Sequence, residues 1–336
     1  MTLTDTSAEQ EAGFAERLAA SLLPVFEGEE PLLLTDSRAL LRMLHERGVG
    51  ALHFEHLSGL SPDERRNVVA IPTTPLDVSN HDVWREYFAE SRVLIVAGVA
   101  FDPAPEAVLY TLEKMARSSF VDAAERNNVL LEAVAGSSTM VVSSADAELR
   151  CELDEITMLR PKIEPELAPG EWESVGAYFE VGLVSVPDEF MTGIKPGFDV
   201  NGEFVADGVS VAVHRHVGDD VRAMQTAAWE LLRSLARAGE FPLRLTVEHS
   251  VLRKVLTASG RDMAPELLVH TNAGLGGMLT ELAFSSNAAM KPDEVDWSVN
   301  SQLNEGAIGV HIAVGEGLTG AHVDFIAIDA TTDFRA

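Results

Sequence analysis

Four residues near the end of the chain could do chemistry together. In "AHVDF", His322 and Asp324 are two apart. On a strand, residues i and i+2 share a face, so both would point one way and Val323 and Phe325 the other. His311, in "GVHIAV", lies eleven residues earlier, across the Gly-rich "GEGLTG". That spacing suits a hairpin that sets it near His322. Glu281 sits between apolar neighbours in "LTELAFSSN", another strand-like run. Imidazole and carboxylate groups on rigid strands suit a divalent metal: zinc, iron, manganese or cobalt. The alternative is four hydrogen-bonded polar groups in a core, the ordinary fate of a histidine on an apolar strand.

The elements that would carry these residues change character along the chain. Up to about residue 160, strand-like and helix-like segments alternate. "PLLLTDSRALLRMLHERGVGALHFE" reads strand, cap (Thr35 or Asp36), amphipathic helix, Gly stop, strand. "SRVLIVAGVA" is a continuous apolar run typical of a buried parallel strand. "PEAVLYTLEKMARSSFVDAAERNNVLLEAV" is helical and "STMVVSSA" is strand-like. This rhythm predicts an α/β domain over residues 1–160. Prolines 161, 165 and 169 and Gly170 then mark a connection. Residues 161–336 read as a mostly-β (α+β) domain. Its strands include "AYFEVGLVSVP", "GEFVADGVSVAVHRHV", "FPLRLTVEHSVLRKVL" and "ELLVHTNAGLGG". One helix near residues 219–239 has Met224, Ala228, Leu231 and Leu235 on one face.

Composition removes several function classes. The net charge of -28 argues against nucleic acid and anionic membranes, which need a positive surface. No run of 18 apolar residues occurs, and the acidic N-terminal segment lacks the basic start of a signal peptide. The single cysteine, Cys151, followed by acids, reads as a structural thiol in a cytoplasmic protein. Neither a dinucleotide fingerprint nor a phosphate loop is present. His45, His53 and His56 read as surface or edge residues. The pair His214 and His216 reads as an exposed face beside Arg215. Asp262, Glu266 and His270 read as surface or turn residues.

Taken in order, "GMLTELAFSSNAAM", "GAIGVHIAVGEG" and "AHVDFIAI" resemble the closing motifs of aminopeptidase T and aminopeptidase S type metallo-aminopeptidases. Their superfamily includes the non-haem iron enzyme 2,5-dihydroxypyridine dioxygenase. The likeness covers Met278 to Asp329. It implies that Glu281, His311, His322 and Asp324 are metal ligands, and that Glu281 or a further ligand is the catalytic base. That further ligand would be Glu189 in "SVPDEFMTG", with Asp188 as the alternative. The resemblance also implies a homodimer and a peptide substrate. Two departures set this chain apart. No tyrosine follows Tyr178, where the peptidases carry a catalytic one, and the stretch between His311 and His322 is much shorter. The dioxygenase in that superfamily gives another expectation, a non-haem iron ring-cleaving dioxygenase, although a carboxylate at 281 departs from the 2-His-1-carboxylate set of iron oxygenases. The departures raise a second expectation: a non-catalytic peptide-binding protein on a retired peptidase scaffold, taking its peptide by strand addition in a pathway that modifies ribosomally made peptides.

Overall fold

The computed structural model describes residues 13–75, 84–153, 160–184, 197–271 and 273–336. Strands are numbered in chain order. A parallel sheet holds β1 (Leu32–Thr35), β2 (Ala51–His53), β3 (Asn67–Ile71), β4 (Arg92–Ile95) and β7 (Trp172–Ser174), in the order β2-β1-β3-β4-β7. Leu33, Val69, Ile71 and Leu94 pack on one face against helices Phe14–Leu22, Arg38–Glu46 and Pro105–Met115. Leu34, Val68, Val93 and Ile95 fill the other face with Phe88. Burial on both faces explains why "VLIV" is apolar without alternation.

The cap of helix Arg38–Glu46 is neither Thr35 nor Asp36. Ser37 accepts the Leu40 N–H. Asp36 is engaged elsewhere: its carboxylate takes the N–H and O–H groups of Thr73 and Thr74. It thereby ties the end of β1 to the segment after β3.

The antiparallel part has two sheets. One holds β5 (Thr139–Ser144), β6 (Ala147–Leu153), β9 (Phe198–Ala206), β11 (Leu243–Glu248), β12 (Val251–Leu256) and β16 (Thr331–Arg335), in the order β12-β11-β9-β6-β5-β16. The other holds β8 (Glu180–Val184), β10 (Gly208–Ala212), β13 (Leu279–Ser285), β14 (Gly309–Val314) and β15 (His322–Ile328), in the order β10-β15-β14-β13-β8. The sheets do not divide at residue 160: β5 and β6 pair into the six-stranded antiparallel sheet, and β7 returns to the parallel one. The fold is thus mixed α and β, a parallel α/β layer with an antiparallel, mostly-β layer.

The stretch "ELLVHTNAGLGG" is not a strand. It begins in a short helix, Ala264–Leu267. Asp262 accepts the Ala264 N–H, and Pro265 occupies the first turn, where a missing N–H costs nothing.

The five-stranded antiparallel sheet is two-faced. Leu183, Val209, Val211, Leu282, Phe284, Ile312, Val323 and Phe325 point into one core. The six-stranded sheet and Ala228, Trp229, Leu232 and Leu235 of helix Asp219–Arg237 complete that core. Cross-strand register settles the opposite face. Asp324 faces Ala313 and Ser210, Glu281 faces Ala313, and Ala283 faces His311 and Gly182. The polar residues of five strands therefore share one side of the sheet.

Candidate metal centre

On that polar side, small residues leave room. Gly182, Ala283 and Ala313 alternate with Glu180, Glu281, His311, His322 and Asp324. Nε2 of His322 lies 3.0 Å from Oδ1 of Asp324 and 3.4 Å from Oε2 of Glu281. Nε2 of His311 lies 3.7 Å from Oε1 of Glu281 and 3.7 Å from Oε2 of Glu180. Glu281 thus touches both histidines and joins two triads, Glu180–Glu281–His311 and Glu281–His322–Asp324. His311 and Asp324 are 1% exposed, while His322 is 19% exposed and marks the open end.

A second layer aims these groups. The Ser285 hydroxyl donates to the Glu305 carbonyl, so only its lone pair faces His311 Nδ1, 3.2 Å away. His311 must therefore carry its proton on Nδ1. His322 Nδ1 faces the Gly315 carbonyl at 2.8 Å and is likewise an N–H. Both Nε2 atoms then point inward with their lone pair or second proton available. Gly315 has φ +79, and a Cβ there would sit 2.0 Å from the Ala321 carbonyl. Only glycine lets the β14–β15 turn close tightly enough to present that carbonyl. Ser210, opposite Asp324, lies 2.9 Å from its Oδ2 and 3.0 Å from Oε2 of Glu305.

Charge inside the cluster is shared. Burial alone would lower both imidazoles, but the facing carboxylates outweigh it. His311 is raised to about 9, chiefly by Glu281, and His322 is raised well above its ordinary value, chiefly by Asp324. Burial also works to raise Glu281, yet its contacts with His311 and His322 hold it down at about 2. Asp324 is lowered, because His322 overcomes its burial. Glu180 goes the other way. Burial, then the neighbouring Glu281, push it up to about 8. Glu305 is raised well above its normal range by burial and Asp324. Protons that two imidazoles and two carboxyls hold here are protons a cation can displace.

The residues fit a divalent ion. At a metal–ligand bond of about 2.0–2.1 Å, tetrahedral ligand atoms stand about 3.3 Å apart. The separations of 3.0–3.7 Å bracket that value. The buried Oδ1 of Asp324 has no aligned hydrogen-bond donor among the described residues. The positive charge that faces it is the His322 imidazole, with Nε2 3.0 Å away, whose proton an ion would replace.

A cover lies over the cluster. Residues 286–308 run along the β10 side, reach the cluster through Glu305, and bind helix Pro105–Met115 and the turn after it through Asn287 to Ser118 (2.7 Å), Ser301 to Thr111 (2.8 Å) and Asn304 to Tyr110 (2.9 Å). Trp297 stacks on Gly208, where a Cβ would lie 2.1 Å from the indole. Asn300 donates to and accepts from the backbone of Val211, the outer edge of β10. A cavity of about 710 Å³ lies elsewhere, lined by Arg126, Val129, Phe284, Ile308 and Phe334. None of the five clustered side chains lines it.

The structure thus brings Glu281, His311, His322 and Asp324 together. Glu189 and Asp188 lie outside the described residues. Glu180 and Glu305 were missed. Glu180 sits at the strand start in "YFEVGLV", where a lone acid before an apolar run was a readable signal, but Glu305 carries none. His214 and His216 follow the end of β10, with ring centroids 5.2 Å apart. His45 and His53 bond backbone carbonyls of Ala51 and Asp36, and Glu266 pairs with Arg261. Cys151 is buried, and burial pushes its thiol up to about 12, an unreactive state. No helix among the described residues is long and apolar enough to cross a membrane.

The family model of the crocagin biosynthetic protein CgnE/B matches residues 28–335. The chain belongs to the CgnE/B family. This family covers both layers of the fold and every residue of the candidate centre. A search of curated proteins finds no match. Among solved structures, wild-type AmpT from Thermus thermophilus is similar at 12% identity and a TM-score of 0.47, over 96% of this chain and 95% of that one. A 2,5-dihydroxypyridine dioxygenase from Pseudomonas putida KT2440 is similar at 11% identity and a TM-score of 0.48, over 96% and 94%.

Proposed function

We propose that this CgnE/B-family protein is a metal-binding biosynthetic protein that works on a peptide. The observation that carries the metal is the convergence of both histidine Nε2 atoms on Glu281, with each Nδ1 fixed by a hydroxyl or carbonyl behind it. Glu281, His322 and Asp324 would hold the ion, with His311 and Glu180 as the further ligands of the triad that shares Glu281. A divalent ion there supplies Lewis acidity and a water of lowered pKa. Glu281, the base that the motifs imply, lies between both histidines, which hold it at about 2 until an ion takes their protons. A peptide is the class of ligand that the sequence motifs favour, and the biosynthetic family is compatible with it.

A second reading has an observation of its own. The centre is nearly closed, and no tyrosine follows Tyr178 to complete the peptidase pattern. A non-catalytic peptide binder, with the ion as a structural cross-link, would need neither an open centre nor that tyrosine. One experiment separates the two. Metal content is measured by mass spectrometry on protein purified without chelator or nickel, for the parent and for His322→Ala. Near-stoichiometric metal, lost in the variant, supports the centre, and no uptake on incubation with zinc, manganese, cobalt or iron ends that reading. Turnover of small peptides that stops on chelation marks the catalytic version. Peptide binding unchanged by chelation marks the binder.

A further inference from the structure

Beyond the end of β10 the chain turns basic. Ala212 faces His322 across the sheet, and the next residues are Val213, His214, Arg215 and His216. His214 is therefore two residues, on the order of 7 Å of strand rise, from the open end of the centre. The segment is stitched down on both sides. The Val213 N–H donates to the Ala100 carbonyl in the first domain, and the His214 N–H donates to Gly317 in the β14–β15 turn at 2.7 Å. Arg222 fixes it from below, with Nη2 on the Arg215 carbonyl and Nη1 on the Val99 carbonyl.

Arg215 is half-buried, and its Nε–H donates to His216 Nε2 at 3.1 Å. Among the described residues no carboxylate pairs with it, and its two Nη atoms keep their donors unused. The charge that reaches it is another cation, Arg85 of the first domain. His214 is pulled below its ordinary value by burial, Arg215 and His216, with no acid opposing them. In a chain of net charge -28, an arginine that meets another arginine and no carboxylate among the described residues stands out. Half-buried guanidinium groups are normally paired, and their planar fork matches a carboxylate.

We propose that Arg215, Arg85 and His214 form a carboxylate subsite. The site takes the C-terminal carboxylate or an acidic side chain of a ligand whose other end reaches the open side of His322. The identity of that ligand as a peptide rests on the proposed function, but the anion chemistry does not. Anchoring one end orients the chain along the seam between the two domains.

The test follows the His214 imidazole by NMR in the full-length protein, assigned with His214→Gln. The probes are sodium acetate, inorganic phosphate, and N-acetylated hexapeptide pools without Asp or Glu, made as free acids and as C-terminal amides. A third, amidated pool contains Glu. Acetate and the free-acid pool should shift the resonance saturably. Arg215→Gln should weaken each at least tenfold, and Arg215→Lys, which keeps charge but not the fork, should fall between. Folding of each variant is checked by its melting temperature, and Arg85→Gln, on an exposed side chain, gives a second variant that leaves the segment intact. A response to the Glu-containing amide pool equal to that of the free acids assigns side-chain carboxylates, and its absence assigns the C-terminus. Acid and amide pools that bind equally, with no acetate response, overturn the subsite and leave the peptide reading standing. An acetate shift with no peptide binding does the reverse. Phosphate binding far tighter than acetate overturns the carboxylate assignment, as does an unchanged affinity in Arg215→Gln and Arg85→Gln.

Discussion

The two faces of the β10-β15-β14-β13-β8 sheet use the same strands for opposite ends. On one, Leu282, Ile312, Val323 and Phe325 interdigitate with the six-stranded sheet and helix Asp219–Arg237. On the other, Glu281, His311, His322 and Asp324 meet over Gly182, Ala283 and Ala313. The first face holds its shape by excluding water, a force without direction. The second depends on directed contacts, each of which fails if its partner is misplaced. Adjacent residues of β15 should therefore behave as if they belonged to different proteins.

The largest expected effect tests that directly. Phe325→Ala should cost about 3–5 kcal/mol in denaturant unfolding, the usual loss for a buried ring, while the folded fraction still takes up metal. Asp324→Asn, nearly the same shape, should abolish metal uptake at a smaller cost in stability. If both variants lose metal and stability in parallel, the faces are not independent. Next, Gly208→Ala should cost about 1–3 kcal/mol, because its methyl group meets the Trp297 ring. The cover would lift, and metal exchange should speed up in a stopped-flow chelation assay. Unchanged exchange would show that Trp297 does not gate the centre.

Ser285→Ala leaves every ligand in place but frees the His311 ring. Metal affinity should fall 10–100-fold in competition titrations, as for other lost partners of ligating histidines. An unchanged affinity would mean that His311 is not a ligand. The smallest effect is on pH. In the metal-free protein, the raised pKa of His311 stabilises the fold below about 6.5 and is lost as pH climbs through about 9. Glu180, raised to about 8, folds best protonated, so it too weakens the fold as pH rises above its unfolded value near 4.5. Glu281, held at about 2, contributes fully above about 4.5 and matters only in acid. Bound metal replaces these protons. The gain in melting temperature on adding zinc should therefore grow from pH 6.5 to 8.5, and a gain that is flat or shrinks over that range would contradict the assigned protonation.

Much of this centre was legible in the chain because strand periodicity is strict. The two-residue step in "AHVDF" and the turn "GEGLTG" place His322, Asp324 and His311 with no further information. The membership of Glu180 and Glu305 was not legible, because long-range pairing delivers them: the lone acid in "YFEVGLV" is visible in the chain, but not where it goes. Glu180 arrives only when β8 lies beside β13, with Ser285 opposite it, and Glu305 only when the cover folds back over β10. The strand β3, "NVVAI", was passed over because only four apolar residues stand between Asn67 and Pro72, too short a run to mark a strand by itself. The expected strand at "ELLVHTNAGLGG" failed for the opposite reason. Its apolar residues were real, but Asp262 and Pro265 had already committed the backbone to a turn of helix.

Asn300 has a consequence for how copies of this chain meet. Its amide occupies both backbone groups of Val211, as one residue of a sixth strand would. A sheet edge left bare invites another chain to zip onto it, and repeated zipping makes fibres. Asn300, with Gln225 donating to the same Val211 carbonyl, blunts that rim at no cost in backbone. An apolar strand can thus lie at the sheet's edge, next to its most polar site, without offering the Val211 backbone to another chain.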